Sequence, residues 1–328
     1  MRAIQASHPG GPEVLRAVDL PAPSPAPDEV LVQVAAAGVN FIDTYRRGGI
    51  YPMPFPHVVG SEGAGTVVEV GDEVDGIAVG ERVAWHASRT GSYADVVAVR
   101  ASGTVPVPDG VPTTVAAALL LQGLTAHYLT HSTFPVAPGQ DVLVHAGAGG
   151  VGLLLTQIAS ALGARVITTV STEEKAALSR AAGAADVLRY DLFHDLTADL
   201  TAAVRELTEG AGVHTVFDGV GRATFDASLA SLRRRGGLAL FGASSGPVPP
   251  IDPQRLNAAG SVYLTRPTLG DYTATRDELL ARAQDLFDAV LAGTLEVRIG
   301  ATFALADAAD AHRALEARAT TGKVLLVP

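Results

Sequence analysis

The chain has 328 residues, 48% hydrophobic and 18% charged, which is enough apolar mass for two cores and too little charge for a disordered chain. Its net charge of −10 and pI of about 5.3 disfavour general binding to nucleic acid or to anionic membranes. There is no cysteine, so disulfides, thiolate nucleophiles and cysteine-ligated zinc are excluded.

The first five residues enter a strand-like stretch without a signal-peptide h-region, which makes a cytoplasmic protein the expectation. A proline-rich turn (Pro21, Pro23, Pro25, Pro27) precedes a strand at 30–34, and further strands follow at 65–71, 82–85 and 93–99. Many short strands punctuated by glycine and proline predict an antiparallel, barrel-like domain. The apolar stretch 115–121 is too short to span a bilayer and opens a helix over 115–131. Strands and helices then alternate. The strands are at 141–146, 165–170, 186–190, 213–218, 237–241 and 261–264; the helices are at 150–162, 173–182, 195–209 and 223–234. Most of these strands are continuous apolar runs, as expected where helices cover both faces, and the alternation predicts a doubly wound parallel sheet. A helix at 276–292, a strand at 297–303, a helix at 307–317 and a strand at 323–327 read as a return to the first domain. The expected division is 1–122 and 267–328 for one domain and 123–266 for the other. Arg233, Arg234 and Arg235 read as charge at a helix C-terminus complementing its dipole, and Trp85 as core.

The run from Val142 to Gly152 is the most informative segment. A buried strand breaks at Gly147, Gly149 and Gly152, which fit G-x-G-x-x-G, and a helix follows. The first glycine is expected to allow the tight turn. The second lets a pyrophosphate approach the backbone, and the third packs helix against strand beside a free helix N-terminus. The next strand ends without the acid that an NAD site uses to hold the ribose. Ser171, Thr172 and Lys175 stand there instead, and hydroxyl plus ammonium favours a 2′-phosphate, hence NADPH over NADH. Three alternatives stand beside this reading. Ser171 with Glu174 also fits a capping box, Lys175 also fits a solvated first-turn lysine, and Glu173 or Glu174 is placed to turn toward the ribose. Tyr190 is a candidate neighbour of the adenine end or a core tyrosine.

Five segments occur in order: Gly38–Tyr45, Gly60–Gly65, the glycine turn, Phe241–Ser245 and Thr265–Pro267. With them the chain resembles the NADPH:quinone oxidoreductases, the zeta-crystallin-like branch of the medium-chain dehydrogenase/reductase superfamily. The resemblance runs from Gly10–Leu15 to the closing segment. It implies an α/β protein with a GroES-like, antiparallel, barrel-like catalytic domain and a Rossmann domain, with the nicotinamide in a cleft between them. It also implies a cofactor site. Asn40, Phe41, Ile42, Asp43, Thr44 and Tyr45 match the nicotinamide side, and Gly149, Gly150 and Val151 the pyrophosphate side. Ser171, Lys175 and Tyr190 match the 2′-phosphate side, and Gly219, Phe241, Gly242, Ala243, Ser244, Thr265, Arg266, Pro267 and Arg318 match further contacts. Zinc-dependent relatives place a cysteine and a histidine where this chain has Asn40 and Ser61, so no metal is expected. A homodimer is implied as well, paired near strand 261–264.

Quinones accept electrons without help from a metal, so positioning is the expected contribution of the protein. Asn40 is a candidate donor to a substrate carbonyl, and Tyr45 and Tyr51 are candidates to stack on or bond to a flat ring. Asn40 serving its own turn and Tyr51 packing on its own loop are the plainer readings. Asp43 is either a proton relay or a turn cap. Reduction of an enone or alkenal double bond is the nearest alternative activity. A non-catalytic NADPH-binding role, structural or RNA-binding, is the alternative of another class, and the net charge weighs against RNA.

Overall fold

The computed structural model describes residues 1–328, which divide into two compact units, one made of Met1–Leu124 with Thr273–Pro328 and the other of Thr125–Tyr272. The chain opens with β1 (Arg2–Ala6), β2 (Leu15–Asp19), β3 (Glu29–Val39) and helix α1 (Phe41–Arg47). Then come β4 (His57–Val58), β5 (Glu62–Val70), β6 (Arg82–Trp85), β7 (Val96–Arg100), β8 (Thr104–Pro106) and α2 (Thr113–Tyr128). The second unit holds β9 (Asp141–Val144), α3 (Gly150–Ala161), β10 (Arg165–Val170), α4 (Glu173–Ala181), β11 (Asp186–Arg189) and α5 (Leu196–Leu207). It continues with β12 (Val213–Asp218), α6 (Phe225–Ser231), β13 (Leu232–Leu240), α7 (Gln254–Ala258) and β14 (Tyr263–Thr265). The chain closes with α8 (Arg276–Leu291), β15 (Ile299–Ala304), α9 (Ala308–Glu316) and β16 (Lys323–Val327).

In the first unit, β15, β16, β3, β5, β6 and β8 form one sheet in that order, with β7 also pairing β3, and β2-β1-β4 form a second. All pairs are antiparallel except β15 with β16. The last strand pairs with the third through Val324 opposite Val39 and Leu326 opposite Ala37, so Gly38 and Lys323 become neighbours across 285 residues of chain. Val30, Val32, Val67, Val83, Trp85 and Tyr93 fill the core beneath. Burying side chains of this size contributes roughly 1.5–3 kcal/mol each before entropy is counted.

In the second unit six parallel strands run in the order β11-β10-β9-β12-β13-β14, with the order reversing between β9 and β12. Val142, Leu143 and Val144 are fully buried, which is why β9 reads as an unbroken apolar run. One sequence expectation fails here. The helix expected over 223–234 ends at Ser231, and Arg233–Arg235 belong to β13. Leu232 already pairs with Val213, and the Arg235 N–H, at φ 58, donates to the Gly260 carbonyl at 2.9 Å. Ladder bonds on both sides outcompete another helical turn, so these arginines sit on a strand and not in the last turn of a helix. No helix is long and apolar enough to cross a membrane.

Candidate functional site

The candidate cofactor residues of the second unit all sit at the carboxyl ends of its parallel strands. The glycine turn leaves β9, Ser171 leaves β10, Tyr190 leaves β11 and Gly219 leaves β12. Phe241–Ser244 leaves β13, and Thr265 to Pro267 ends and leaves β14. In open α/β sheets ligands bind at this edge, at the point where strand order reverses.

The glycines have separable jobs. A Cβ on Gly152 would lie 2.2 Å from the Ala146 carbonyl oxygen and 3.0 Å from Gly147 Cα, so α3 packs against the strand only because Gly152 has no side chain. A Cβ on Gly147 would meet Thr168 Cβ at 2.6 Å and Ser179 Oγ at 2.7 Å. The left-handed backbone of the turn belongs to Ala146, at φ 53, and not to Gly147. The first glycine therefore serves packing against β10 and α4, a correction to its expected role in the tight turn. Gly149, the N-cap of α3, is different: the only atom near its missing Cβ is the Ala146 carbonyl oxygen at 3.2 Å. With no side chain at this N-cap, a group that needs to approach the first N–H groups of α3 meets no Cβ, so these residues fit a bound pyrophosphate.

At the end of β10, Lys175 Nζ donates to Ser171 Oγ at 3.2 Å, bringing the two candidate phosphate ligands together. The N-cap of α4 is Thr172, whose side chain accepts from the Lys175 N–H, so Ser171 is not the capping residue. Glu173 is taken up by two guanidinium groups: Arg180 Nη1 donates to Oε1 at 2.8 Å and Arg189 Nη1 to Oε2 at 3.3 Å. These bonds, that of Arg180 first, hold the Glu173 carboxyl below its ordinary range. Arg189 lies opposite Val170 in the β10–β11 register and also pairs with Asp191 at 2.6 Å. Sequence reasoning missed Arg189; a cation closing the third strand was the available signal. Next to the strand-order reversal, buried His145 lies 2.9 Å from both Thr169 Oγ1 and Ser228 Oγ, and Ser228 donates to Asp218 at 2.7 Å. Asp218 also accepts from the Val220 and Gly221 N–H groups, which shapes the turn carrying Gly219. Gly219 and Gly242 face one another: a Cβ on Gly242 would lie 2.4 Å from the Gly219 carbonyl oxygen, and one on Gly219 would lie 2.8 Å from the Phe241 ring.

The first unit holds the remaining candidates. Asn40 is the N-cap of α1, and its N–H donates to the Asp43 carboxylate at 3.0 Å while the Asp43 N–H bonds the Asn40 carbonyl at 3.1 Å. The Asn40 carboxamide is turned the other way. Its Nδ2 donates to Glu62 Oε1 at 2.7 Å, and its Oδ1 accepts from Lys323 Nζ at 2.9 Å and Gln122 Nε2 at 3.4 Å. Lys323 also contacts Glu62 Oε1 directly, and Glu62 Oε2 accepts from the Leu121 N–H at 2.8 Å. Both ionic side chains are buried, and burial pushes the Lys323 ammonium down to about 7, with the Asp43 carboxylate pulling upward. Lys323 was not visible as a site residue in the sequence, since only the β16–β3 pairing brings it to Asn40.

A second buried network surrounds Asp43. Its carboxylate accepts from Ser61 Oγ at 2.5 Å and from the Tyr93 hydroxyl at 3.1 Å, and burial raises its pKa. With the Tyr93 proton given to Asp43, the hydroxyl accepts from His312 Nε2 at 3.1 Å, which leaves His312 Nδ1 to accept from Arg47 Nη1 at 2.9 Å. Arg47 closes the chain on Glu316 at 2.6 Å. His312 is therefore a neutral imidazole, held at about 3 by burial and by Arg47. Arg46 Nη1 donates to Ser61 Oγ at 2.9 Å, so the residue at the histidine position of zinc relatives is an ordinary hydrogen-bonding serine.

Phe41, Tyr45 and Tyr51 form an aromatic row, with ring centroids 6.3 Å apart for Phe41–Tyr45 and 5.9 Å for Tyr45–Tyr51. Tyr51 is 39% exposed. Ile42 and Thr44 lie on α1, where Thr44 Oγ1 donates to the Phe41 carbonyl at 2.8 Å. Arg318 lies just beyond α9 in a left-handed conformation, at φ 57. No group of three His, Cys, Asp or Glu side chains is arranged to hold a metal ion.

Two family descriptions match the chain: "Alcohol dehydrogenase GroES-like domain" over residues 26–109 and "Zinc-binding dehydrogenase" over residues 150–285. A quinone oxidoreductase of Pseudomonas aeruginosa is 44% identical over 100% of this chain and 99% of its own length. A 2-haloacrylate reductase of a Burkholderia species is 41% identical over 97% of this chain and 96% of its own. A mycobacterial protein solved in complex with NADPH is 56% identical, with a TM-score of 0.97 over the whole of both chains. Full-length identity at this level, with both halves matched to their families, means that the chain belongs to the quinone oxidoreductases of the medium-chain dehydrogenase/reductase superfamily.

Proposed function

We propose that the protein reduces small quinones with NADPH and without a metal. The observation that carries the reading is the strand-edge cradle of the second unit: backbone free of a side chain at Gly149, the N-cap of α3, together with the paired Ser171 and Lys175. The NADPH complex of the 56% identical relative supports the same choice of cofactor. Gly149, Gly150 and Val151 would hold the pyrophosphate on the first N–H groups of α3, and Ser171, Lys175 and Tyr190 the 2′-phosphate end. Bound NADPH supplies the reducing equivalents. The chain's own residues position the acceptor, and Tyr45 and Tyr51 offer ring faces for it.

Asn40 is held in a fixed orientation by Lys323 and Glu62, and with its Nδ2 also donating to the Gly38 carbonyl at 3.4 Å it shapes the site and does not serve as the expected donor to a substrate carbonyl. That arrangement also supports the metal-free reading. The one carboxylate remaining at the zinc-ligand positions, Glu62, already accepts from an ammonium, a carboxamide and a backbone N–H. A homodimer is the assembly we expect, supported by the edge strand β14 with Tyr263 61% exposed.

Reduction of an activated carbon–carbon double bond is the second reading, favoured by the 2-haloacrylate reductase at 41% identity. NADPH oxidation with 1,4-benzoquinone, 1,2-naphthoquinone and an enone, with and without EDTA, separates the two. Quinone turnover insensitive to EDTA is the expected result. Turnover of the enone alone selects the second reading, and loss of turnover in EDTA rejects metal independence.

A further inference from the structure

The sequence places an acid three residues beyond β10, close to where an NAD site carries the carboxylate that holds the ribose hydroxyls. Glu173 is that acid, and it is the first residue of α4, between Ser171 before the helix and Lys175 in its first turn. In a site built for a 2′-phosphate a free carboxylate here is harmful, because it repels the phosphate and offers itself to an unphosphorylated ribose. Glu173 is not free. Arg180, seven residues along α4, holds Oε1 at 2.8 Å, and Arg189, leaving the neighbouring strand, holds Oε2 at 3.3 Å. Arg189 is itself oriented by two bonds to Asp191, from Nε at 3.0 Å and from Nη2 at 2.6 Å.

We propose that Arg180 and Arg189 determine cofactor specificity by sequestering Glu173, keeping its carboxylate off the Ser171–Lys175 phosphate site. The inference rests on the NADPH reading above and adds to it residues that act through Glu173 without touching the cofactor. Charge bookkeeping supports it. Glu173, Glu174 and Asp191 surround the strand end, and Lys175, Arg180 and Arg189 balance them. Removing the two arginines leaves three carboxylates against one ammonium, where a doubly charged phosphate has to bind. The geometry also explains why Lys175 suffices as the cation of the site although two acids stand between it and Thr172 at the start of α4. One of those acids is bound to guanidinium groups, and the other, Glu174, accepts hydrogen bonds from its own N–H and from Thr172.

The test compares the Michaelis constants for NADPH and NADH in four proteins: wild type, Lys175→Ala, Arg180→Ala/Arg189→Ala, and the latter with Glu173→Gln. Glu173 and Arg180 are exposed and Lys175 and Arg189 partly buried at the surface, so the variants are expected to fold, and a thermal melt of each checks this. The double arginine variant should raise the constant for NADPH about fivefold to tenfold, as for two exposed ion pairs, and leave that for NADH unchanged or lower. Adding Glu173→Gln should restore most of the NADPH affinity. A loss that survives Glu173→Gln overturns the proposal, since the arginines would then serve the phosphate directly. Equal losses for both cofactors overturn it as well. Failure of the underlying NADPH reading looks different: the wild type would not prefer NADPH, and Lys175→Ala would affect both cofactors alike.

Discussion

Lys323→Met tests the buried ion pair behind Asn40. The ammonium is lost from a site in which Lys323 and Glu62 are both shielded from water, and Glu62 keeps only the Asn40 carboxamide at 2.7 Å and the Leu121 N–H at 2.8 Å. Removing one partner of a buried pair costs about 3–5 kcal/mol, because the other charge remains uncompensated. Removing both is far cheaper, so Glu62→Gln with Lys323→Met should recover most of the loss. Urea unfolding followed by Trp85 fluorescence is the assay. Trp85 is the chain's only tryptophan, is fully buried in the same unit, and donates from its indole to Ser92 at 2.9 Å. With a urea m-value of about 3 kcal/mol/M, the single variant should unfold about 1–1.7 M earlier. A shift under about 0.3 M, or a double variant less stable than the single, would refute the view that Lys323 compensates the Glu62 charge. The single variant should also lower kcat for quinone reduction with little change in the NADPH constant, since Asn40 Oδ1 loses its shorter donor and keeps only Gln122 at 3.4 Å.

Gly152→Ala and Gly149→Ala should fail in different ways. The first puts a methyl 2.2 Å from a backbone carbonyl and should cost about 1–3 kcal/mol in a thermal melt, whereas the second meets one carbonyl oxygen at 3.2 Å, which a small shift relieves, and should cost less stability while weakening NADPH in a fluorescence titration. His312 carries a pH dependence. Its folded pKa, about 3, lies below the unfolded value of 6.5, so the unfolded chain binds the proton first and stability present above pH 6.5 is lost as pH falls toward 3. The loss between pH 7 and pH 5 should be about 2 kcal/mol, and His312→Gln should flatten that slope in denaturant titrations whatever its effect at pH 7. Tyr51→Ala should raise the quinone Michaelis constant about threefold to tenfold, as for one lost ring contact, with the NADPH constant unmoved; a change in the NADPH constant alone would remove Tyr51 from the acceptor side.

What the sequence determined by itself is the architecture of the second unit. Val213–Asp218 and Arg165–Val170 form strands over the span their apolar runs predict, and the glycine turn opens a helix where its spacing says it should. These features are local: a run of buried side chains or a missing Cβ acts within a few residues, so one segment carries its own evidence. Even there the division of labour escaped the sequence, because whether Gly147 serves the turn or the packing depends on Thr168 and Ser179 across the strand. The helix run on to 234 failed for the same reason, since the ladder that ends it is made with Val213 and Gly260.

Only the tertiary structure decided the environment of the candidate residues. Asn40 reads as a donor to substrate or as serving its own turn until β16 brings Lys323 to it from 283 residues away, and Asp43 reads as a cap or a relay until Tyr93 and His312 close around it. Glu173 reads as an acid aimed at the ribose until Arg189 arrives from the next strand. Charged and polar side chains have long reach and no periodicity, and their partners are chosen by sheet register. Burial then turns that choice into large energies, which is why the folding of the whole chain, more than any segment of it, fixed what these residues are able to do.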